Sequence, residues 1–264
     1  MENGESKGNR ALVFMHGYLG FSEISILGLR IGYFRGLRKA LADFDAPVYF
    51  PKVAWAGSIE QRANDLARFL ADVPEPEIYL VGHSMGGLDG RYLIHHLDPE
   101  RRVRALVTVC TPHRGSAIAD WAFHSRSLVA WVLRRIGRPG LDDLRVGSME
   151  QFNRNIPDRS DVAYRSYAGV RTRSQMPGWW RFWHDLLQKE HGDNDGLVNL
   201  SSARWGEYGK TGTMDHVEAV GWNLGWPSRK AHRPFNHFPF YRAIVEELLQ
   251  RAPYAAGSTD TQYE

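Results

Sequence analysis

Residues 78 to 87 read Ile-Tyr-Leu-Val-Gly-His-Ser-Met-Gly-Gly, and they say more about the fold than any other stretch of the chain. Their apolar first half predicts a buried strand, and residues 88 to 96 are compatible with a helix. A G-x-S-x-G pattern between a strand and a helix predicts a sharp, strained turn that lifts the hydroxyl of Ser84 clear of the sheet. We expect glycine at positions 82 and 86 because a side chain there would collide with the neighbouring strand or helix.

A serine presented on such a turn is a candidate nucleophile. The backbone N–H of Met85 lies at the predicted start of the helix, where it can stabilise negative charge that develops on a nearby oxygen. The alternative is a plain glycine-rich turn without chemistry, which the apolar residues before the motif and the helix after it disfavour.

The composition suits one large α/β domain. The chain has 264 residues, of which 43% are hydrophobic, enough to bury a sizeable core. Its net charge is +3 with scattered arginines, a pattern that does not predict a nucleic-acid surface. No apolar run is long enough for a transmembrane helix.

Cysteine use and the N-terminus favour a cytoplasmic location. The single cysteine, Cys110, cannot form an internal disulfide, and its apolar neighbours predict a buried, inert thiol. The first ten residues are polar and lack the apolar stretch of a secretory signal. We therefore expect a cytoplasmic protein, or a secreted one if a leader has been removed.

Strands and helices alternate along most of the chain, which predicts an α/β fold with a mostly parallel central sheet and helices on both faces. Ser58 and Gln61 predict a capping box at the start of one helix. The predicted strands lie at 11–15, 46–50, 78–81, 103–109 and 162–168, and the predicted helices at 33–42, 58–72, 88–96 and 240–251. The domain is expected to span residues 11–251, between a polar tail at 1–10 and a disordered tail at 252–264.

The alternation breaks between about residues 115 and 156, where no strand-like run occurs. Residues 117–136 carry bulky apolar side chains at helical spacing, interleaved with arginines. This pattern predicts an amphipathic helical insertion over the sheet, which we call the cap (residues 115–156). A tryptophan-rich loop is expected at 179–183.

Serine needs a histidine to accept its proton and a carboxylate to orient that histidine. After a serine on such a turn, the acid and then the histidine follow along the chain. The turn sequence Gly192-Asp193-Asn194-Asp195-Gly196 supplies the acid, and Asp195 is favoured over Asp193 because a glycine follows it. Downstream of this turn lie His216, His232 and His237; spacing favours His216 but leaves His237 open.

These residues together resemble the bacterial triacylglycerol lipases of the Pseudomonas and Burkholderia type, within the α/β-hydrolase fold. The resemblance implies hydrolysis of acyl-lipid esters by a triad of Ser84, Asp195 and His216, with the N–H groups of Tyr18 and Met85 as oxyanion donors. It covers most of residues 11–250. The motifs that carry it are His16-Gly17-Tyr18-Leu19-Gly20-Phe21, Gly82-His83-Ser84-Met85-Gly86-Gly87 with Arg91-Tyr92, Thr111-Pro112-His113-Arg114-Gly115-Ser116 with Ala119-Asp120, Phe152-Asn153, Asn194-Asp195-Gly196-Leu197-Val198 with Ser201-Ser202, and Asp215-His216-Val217-Glu218.

The chain departs from the resemblance at the structural calcium ion that these lipases usually hold near the catalytic histidine. Glu218 fits one acidic ligand, but Trp222 stands where a glutamine is expected. Residues 174–184 contain no carboxylate to supply the upstream ligand. Since calcium prefers several oxygen ligands, we expect no metal and no other cofactor.

The cap predicts an apolar substrate, an acyl ester or a lipid, and transient contact with a lipid interface. We expect four of its residues to form a lid face over Ser84, with simple core packing as the alternative: Trp121, Phe123, Leu128 and Trp131. Competing functions are a short-chain carboxylesterase and an intracellular polyester depolymerase or acyltransferase. A catalytically silent binding module of the same fold is the alternative from a different class.

Overall fold

The computed structural model describes residues 9–20, 23–26, 29–223 and 234–250. Most of the predicted tail 1–10, the whole predicted tail 252–264, and His232 lie outside the described residues. The N-terminal boundary needs a correction of one residue, because the first strand begins at Arg10. Arg10 pairs in register with Glu77 and its guanidinium lies 3.3 Å from the Glu77 carboxylate, which fixes it to the sheet.

The central sheet has six strands, all parallel, in the order β4-β1-β5-β6-β7-β8. Two further strands, β2 and β3, form a separate antiparallel hairpin. The bounds are β1 Arg10–Met15, β2 Glu23–Ile26, β3 Leu29–Gly32, β4 Val48–Tyr49, β5 Glu77–His83, β6 Val103–Val109, β7 Ala163–Gly169 and β8 Glu207–Gly212. The predicted parallel sheet is confirmed.

Ten α-helices surround the sheet in the described part of the chain. The bounds are α1 Leu37–Ala40, α2 Ile59–Ala71, α3 Met85–His96, α4 Ala117–His124, α5 Leu128–Gly137, α6 Gly140–Asp143, α7 Val146–Asn155, α8 Arg181–His191, α9 Leu200–Ala203 and α10 His237–Gln250. The predicted capping box opens α2: the Ser58 hydroxyl accepts from the Gln61 N–H, and the Gln61 side chain accepts from the Ser58 N–H.

The buried core lies in two layers, one on each face of the sheet. Alternate side chains of β1 point to opposite layers, as the pleat of a strand requires. Leu12 and Phe14 pack with residues of α1 and α10, whereas Val13 and Met15 pack with residues of α2 and α3. Because both faces are covered, β1 is apolar from Ala11 to Met15, which is why this part of its sequence shows no alternation.

Several predicted elements differ from the observed ones. The amphipathic helical segment predicted at 117–136 consists of two helices, because Ser127 caps a new helix by accepting from the Ala130 N–H at 3.2 Å. The tryptophan-rich segment is not a loop: a 3₁₀ turn at Gly178–Trp180 leads into α8. The predicted helix at 33–42 shrinks to α1, and the predicted strand at 46–50 to β4.

The strand order creates a crevice at the carboxyl edge of the sheet. β1 has β4 on one side and β5 on the other, so the chain leaves β1 in one direction and returns on its other side. Ligand sites of open parallel sheets lie at such reversal points. Four loops meet at this edge, and we call them the sheet-end loops: residues 16–20, 82–86, 193–199 and 213–218.

Candidate active site

The turn between β5 and α3 has the strained geometry that the sequence predicts. Ser84 adopts φ 54° and ψ −130°, a conformation that side chains other than glycine rarely take. A Cβ on Gly82 would lie 2.5 Å from the backbone nitrogen of Gly87, and one on Gly86 would lie 2.6 Å from the carbonyl oxygen of Met15. The expectation that both positions require glycine is confirmed, since α3 and β1 leave no room.

Neighbouring strands hold this strained turn in place. The Ser84 N–H donates to the carbonyl of Val109 at the end of β6, at 2.9 Å. The Ser84 carbonyl accepts from the hydroxyl of Thr111 at 2.8 Å and from the N–H of Gly87 at 3.0 Å. A backbone in a sparsely populated conformation persists only where its surroundings determine it, and these bonds do so.

Asp195 is fixed by its own turn. One carboxylate oxygen, Oδ1, accepts from the N–H groups of Leu197 at 2.9 Å and Val198 at 2.7 Å. Gly196 adopts a φ of 95°, which supports the expectation that the glycine allows a tight turn. Asp195 is buried, whereas Asp193 is exposed. The turn therefore directs only Asp195 toward the interior.

His216 lies beside Asp195. Its Nδ1 is 2.8 Å from the second carboxylate oxygen, Oδ2, and its backbone N–H donates to the Asp195 carbonyl at 3.0 Å. Because a carboxylate only accepts, Nδ1 carries the proton and Nε2 of the neutral ring is left as a proton acceptor. Two hydrogen bonds thus join the Asp195 and His216 loops.

His237, the alternative histidine, lies elsewhere. It is the first residue of α10, and its Nε2 is 2.7 Å from the carbonyl oxygen of Arg35, to which it donates. Its ring packs closely against Gly221, where a Cβ would come within 2.4 Å of the imidazole. Burial lowers its pKa. Of the two described histidines downstream of Asp195, the structure brings only His216 to the carboxylate.

The loop after β1 is held in place by two side chains: His16, which the sequence analysis quoted only as part of a motif, and Arg62, which it did not name. The His16 Nδ1–H donates to the Gly17 carbonyl at 2.9 Å, and the His16 carbonyl accepts from the buried Arg62 guanidinium at 2.7 Å. Arg62 also forms a fully buried ion pair with Asp89, at 2.8 Å. Burial and, to a lesser degree, the charge of Arg62 lower the pKa of His16 to about 4, so its ring is neutral.

Tyr18 and Met85 present unused backbone donors beside this loop. Within the described residues, neither N–H has a backbone acceptor. For Met85 this follows from its place as the first residue of α3, since the first N–H groups of a helix have no partner inside it. Tyr18 lines the same cavity as Ser84, and Met85 is the residue that follows Ser84 in the chain.

His83, which the sequence analysis quoted only as part of a motif, lies buried beneath the site. The Nε2 of His83 is 2.9 Å from the His216 carbonyl oxygen, and its Nδ1 is 2.8 Å from the Tyr33 hydroxyl. Burial lowers the pKa of His83 well below its usual value, so the ring is neutral. Nε2 must donate to the carbonyl, and Nδ1 accepts from Tyr33. His83 therefore supports the backbone of the His216 loop.

An apolar cavity of about 510 Å³ opens above Ser84 and His216. Besides these two residues and Tyr18, its lining is largely aliphatic and aromatic. The cap contributes Ile118, Ala119, Leu133, Leu141 and Leu144. Volume and lining are those of a site for a ligand with a substantial apolar part.

The four cap residues predicted to cover Ser84 do not line this cavity. Trp121 stacks edge-on against Phe182 and Trp183, and Phe123 packs under the guanidinium groups of Arg138 and Arg145. Leu128 and Trp131 are 74% and 56% exposed. The prediction is corrected: because α5 turns its Ala130 and Leu133 side inward, the 3.6-residue period places Leu128 and Trp131 on the outer face.

The residues near His216 do not fit the calcium ion that the resemblance implies. The Glu218 carboxylate already accepts from the buried guanidinium of Arg171, at 2.9 and 3.0 Å, and from the Asp215 N–H at 2.9 Å. A divalent cation beside Glu218 would be repelled by this positive charge. Trp222 supplies an indole N–H, which donates to the Tyr33 carbonyl and cannot ligate a cation. Calcium requires several oxygen ligands, and these residues offer a cation and an N–H donor instead.

Two further sequence predictions have structural outcomes. Cys110 is fully buried, as predicted, and burial raises the pKa of its thiol well above its usual value. Across the described ranges, each helix is too short or too polar to cross a membrane.

Comparisons with known proteins agree with this architecture. A family model described as "Domain of unknown function (DUF7379)" matches residues 1–134. Triacylglycerol lipase 2 of Saccharomyces cerevisiae is 34% identical over 212 residues, covering 74% of this chain and 64% of the yeast protein. A triacylglycerol lipase of Pseudomonas fragi is 24% identical over 263 residues, covering 79% of this chain and 87% of that protein. The chain thus spans less than two thirds of the yeast relative.

Among solved structures, the metagenomic carboxyl esterase MGS0156 superposes with a TM-score of 0.75 at 20% identity. The match covers 93% of this chain and 77% of that one. At this identity the likeness establishes the fold, the α/β-hydrolase fold that the sequence predicts. The relatives named triacylglycerol lipase confirm the predicted resemblance, and the family match shows that the chain belongs to the DUF7379 family.

Proposed function

We propose that the protein is a serine hydrolase that cleaves carboxylic esters of apolar acids through an acyl-enzyme. One observation carries the proposal. The strained Ser84 and the hydrogen-bonded His216–Asp195 pair converge on one apolar cavity. A general base, an orienting carboxylate and a nucleophile in this arrangement perform acyl transfer on several unrelated folds.

In the first half of the reaction, the Ser84 hydroxyl oxygen attacks the ester carbonyl carbon while His216 Nε2 takes its proton. Asp195 holds the imidazole with Nδ1 protonated and stabilises the imidazolium that forms. The imidazolium then gives its proton to the leaving alkoxide oxygen as the ester C–O bond breaks. An acyl group stays on Ser84, and a neutral alcohol departs.

In the second half, His216 takes a proton from water, whose oxygen attacks the acyl carbonyl. Collapse of this second tetrahedral intermediate breaks the bond to the Ser84 oxygen, which regains its proton from His216. The products are a carboxylic acid and the free enzyme, so atoms and charges balance over the cycle.

The N–H groups of Tyr18 and Met85 are proposed to bind the oxyanion of both intermediates. Each is free of a backbone acceptor in the described structure, and each is held in place by its surroundings. The buried Arg62 holds the carbonyl just before Gly17, which keeps the Tyr18 loop from relaxing. Donors fixed before the reaction cost no reorganisation when the charge develops.

The substrate is proposed to be a lipid-like ester with a long acyl chain. Leu133, Leu141 and Leu144 of the cap, together with Trp183 of α8, line the cavity. Outside the cavity, a second apolar surface faces solvent, and we call it the outer cap face: Leu128, Val129, Trp131, Val132 and Ile136 of α5. Exposed apolar clusters of this kind mark contact with other molecules, and here a lipid aggregate is proposed.

A short-chain carboxylesterase would use the same catalytic groups and is the second candidate, because a cavity of about 510 Å³ is also large enough for small esters. The role of residues 115–156 as a mobile lid is part of the proposal. The cytoplasmic location stays a prediction.

Labelling with a fluorophosphonate probe tests the proposal. The unmodified protein should be labelled once, at Ser84, and Ser84→Ala should be folded and unlabelled. Ser201→Ala is the matched control, since Ser201 is an exposed serine and should leave labelling unchanged. Absence of labelling in the unmodified protein would point to the silent binding module.

Hydrolysis of p-nitrophenyl esters with acyl chains of graded length then separates the two esterase classes. A kcat/KM that rises with chain length supports the lipid-like substrate. A sharp fall after the shortest esters supports the short-chain carboxylesterase.

A further inference from the structure

We infer that Arg171 is a built-in cation that positions His216 and makes the His216 loop independent of calcium. The inference rests on the proposed function, because it assigns a positioning role in that same site. Its basis is the set of contacts that Arg171 makes with both loops of the proposed acid and base.

The first contact is a buried ion pair with the His216 loop. Arg171 Nη2 and Nε lie 2.9 and 3.0 Å from Glu218 Oε2, and the two side chains are 3% and 2% exposed. The same oxygen accepts from the N–H of Asp215, the residue before His216. One carboxylate oxygen thus joins the guanidinium to the backbone that enters His216.

The second contact is with the Asp195 loop. The Arg171 N–H donates to the carbonyl of Asn194, the residue before Asp195, at 3.1 Å. The Arg171 carbonyl accepts from the ring of the buried His184 of α8 at 3.0 Å. Arg171 follows β7 by two residues, so the central sheet anchors the whole assembly.

These contacts give Arg171 a particular place in the site. It bonds to Asn194, the residue before Asp195, and through Glu218 it is linked to Asp215, the residue before His216. Asp195 and His216 are the two partners of the 2.8 Å hydrogen bond. A small displacement of a catalytic group costs much of the rate even when the fold survives. We therefore expect removal of the guanidinium to affect kcat beyond its effect on stability.

The same contacts explain why calcium is not needed. A calcium ion holds a loop by drawing carboxylates and carbonyls to one positive centre. Here the guanidinium of Arg171 supplies the positive centre, and as a side chain it is always present. A fixed Arg–carboxylate pair is also directional, since the planar group donates along defined axes.

The decisive variant is Arg171→Met, which keeps an apolar stem and removes the charge and the donors. We expect kcat on a soluble p-nitrophenyl ester to fall roughly tenfold or more, with KM changed by less than about twofold. The rate of Ser84 phosphonylation should fall in parallel. Arg171→Lys, which restores one positive charge, should recover much of both rates.

Arg91→Met is the matched control. Arg91 is also a buried arginine, and it bonds to Asn153 and to the Ile156 carbonyl, away from the sheet-end loops. It should lower the melting temperature while leaving kcat within about twofold, measured where both variants are folded. If Arg171→Met behaves like this control, the positioning role is refuted.

If Arg171→Met does not fold, Glu218→Gln takes its place, because it keeps a hydrogen-bond acceptor and removes the charge. The same fall in kcat is expected at a smaller size, and an unchanged kcat overturns the role. On the unmodified protein, excess calcium or EDTA should move the melting temperature by less than about 1 °C, since a ligand must bind the native state to stabilise it. A calcium-dependent rise of several degrees, reversed by EDTA, overturns the inference.

Failure of this inference and failure of the proposed function give different results. Without serine hydrolase chemistry, the unmodified protein takes no fluorophosphonate at Ser84. With that chemistry but without the role of Arg171, the unmodified protein and Arg171→Met react at the same rate.

Discussion

The sheet-end loops and the cap face each other across one cavity, and their side chains are placed by opposite means. In the loops, Ser84, Asp195 and His216 are nearly or fully buried, and hydrogen bonds fix them to their neighbours. In the cap, Leu128 and Trp131 are mostly exposed, although large apolar side chains usually lie in the core of a protein. Ser84, Asp195 and His216 thus have hydrogen-bond partners within the chain, whereas the apolar side chains of the outer cap face remain exposed to solvent.

This difference indicates that the sheet-end loops are the rigid part of the site. Acyl transfer needs groups held to within a fraction of an ångström, and buried ion pairs such as Arg62–Asp89 and Arg171–Glu218 surround those groups. Recognition of a lipid surface needs apolar area rather than fixed geometry. Substitutions in the two regions and a change of pH should therefore affect the loops and the cap differently.

The largest effect is expected in the loops, from loss of the histidine. His216→Ala should lower kcat by about four orders of magnitude or more on every ester, because no base remains for Ser84. His237→Ala is the control: it loses a buried hydrogen bond to the Arg35 carbonyl and should lower the melting temperature while keeping kcat within about threefold. Steady-state kinetics and thermal unfolding measure both. If His237→Ala lowered kcat severely and His216→Ala lowered it only mildly, His237 and not His216 would be the base.

As pH falls, the sheet-end loops should lose stability before the cap does. The pKa of His16 is about 4 in the folded protein against 6.5 in the unfolded chain, so between these pH values only the unfolded chain takes up a proton. The stability that the neutral ring supports is present above pH 6.5 and is lost as pH falls through about 4, about 3 kcal/mol for this residue. Burial lowers the pKa of His83, His113 and His237 as well, which adds to the loss.

Three carboxyl groups oppose this trend, because burial raises the pKa of Asp89, Asp143 and Asp158. For Asp89 the pKa is about 6, so its contribution is present below about pH 3.8 and is lost as pH rises through 6. We expect the four histidines to outweigh these carboxyl groups, with the melting temperature falling from pH 6.5 to 4. His113→Gln should flatten this slope, and hydrogen exchange should show residues 16–20 opening before α5. A melting temperature that is constant or rises on acidification would contradict the prediction.

The smallest effect is expected in the cap. Leu128→Ser with Trp131→Ser should lower the rate on an emulsified long-chain ester about tenfold, because each large apolar side chain buried in a lipid surface contributes about 1.5–3 kcal/mol at most. The rate on soluble acetate esters should stay within about twofold. Leu133→Ala is the contrasting variant, since Leu133 lines the cavity and should affect soluble esters of matching length as well. An equal loss on both ester classes from the double variant would make the outer cap face part of the structural core.

Local patterns in the sequence were enough to predict the turn at Ser84 and much of the sheet. The glycines at 82 and 86, the capping box at Ser58 and the buried strand before Cys110 all follow from neighbours within a few residues. The strand β8 was missed because its sequence, Glu-Tyr-Gly-Lys-Thr-Gly, has one large apolar residue and lies at the edge of the sheet. There, pairing with β7 decides the conformation.

The fold class, the place of Ser84 and a short set of candidates for the acid and the base thus follow from local sequence patterns. Only the tertiary structure decided between His216 and His237, since the hydrogen bond to Asp195 depends on which loops the strand order brings to one edge. It also decided which side of α5 faces the cavity and paired Arg171 with Glu218 across 47 residues. Periodicity and turn chemistry act between residues that are close in the sequence. Charge pairing and burial depend instead on distances between residues far apart in the chain, and these distances exist only after the sheet has formed.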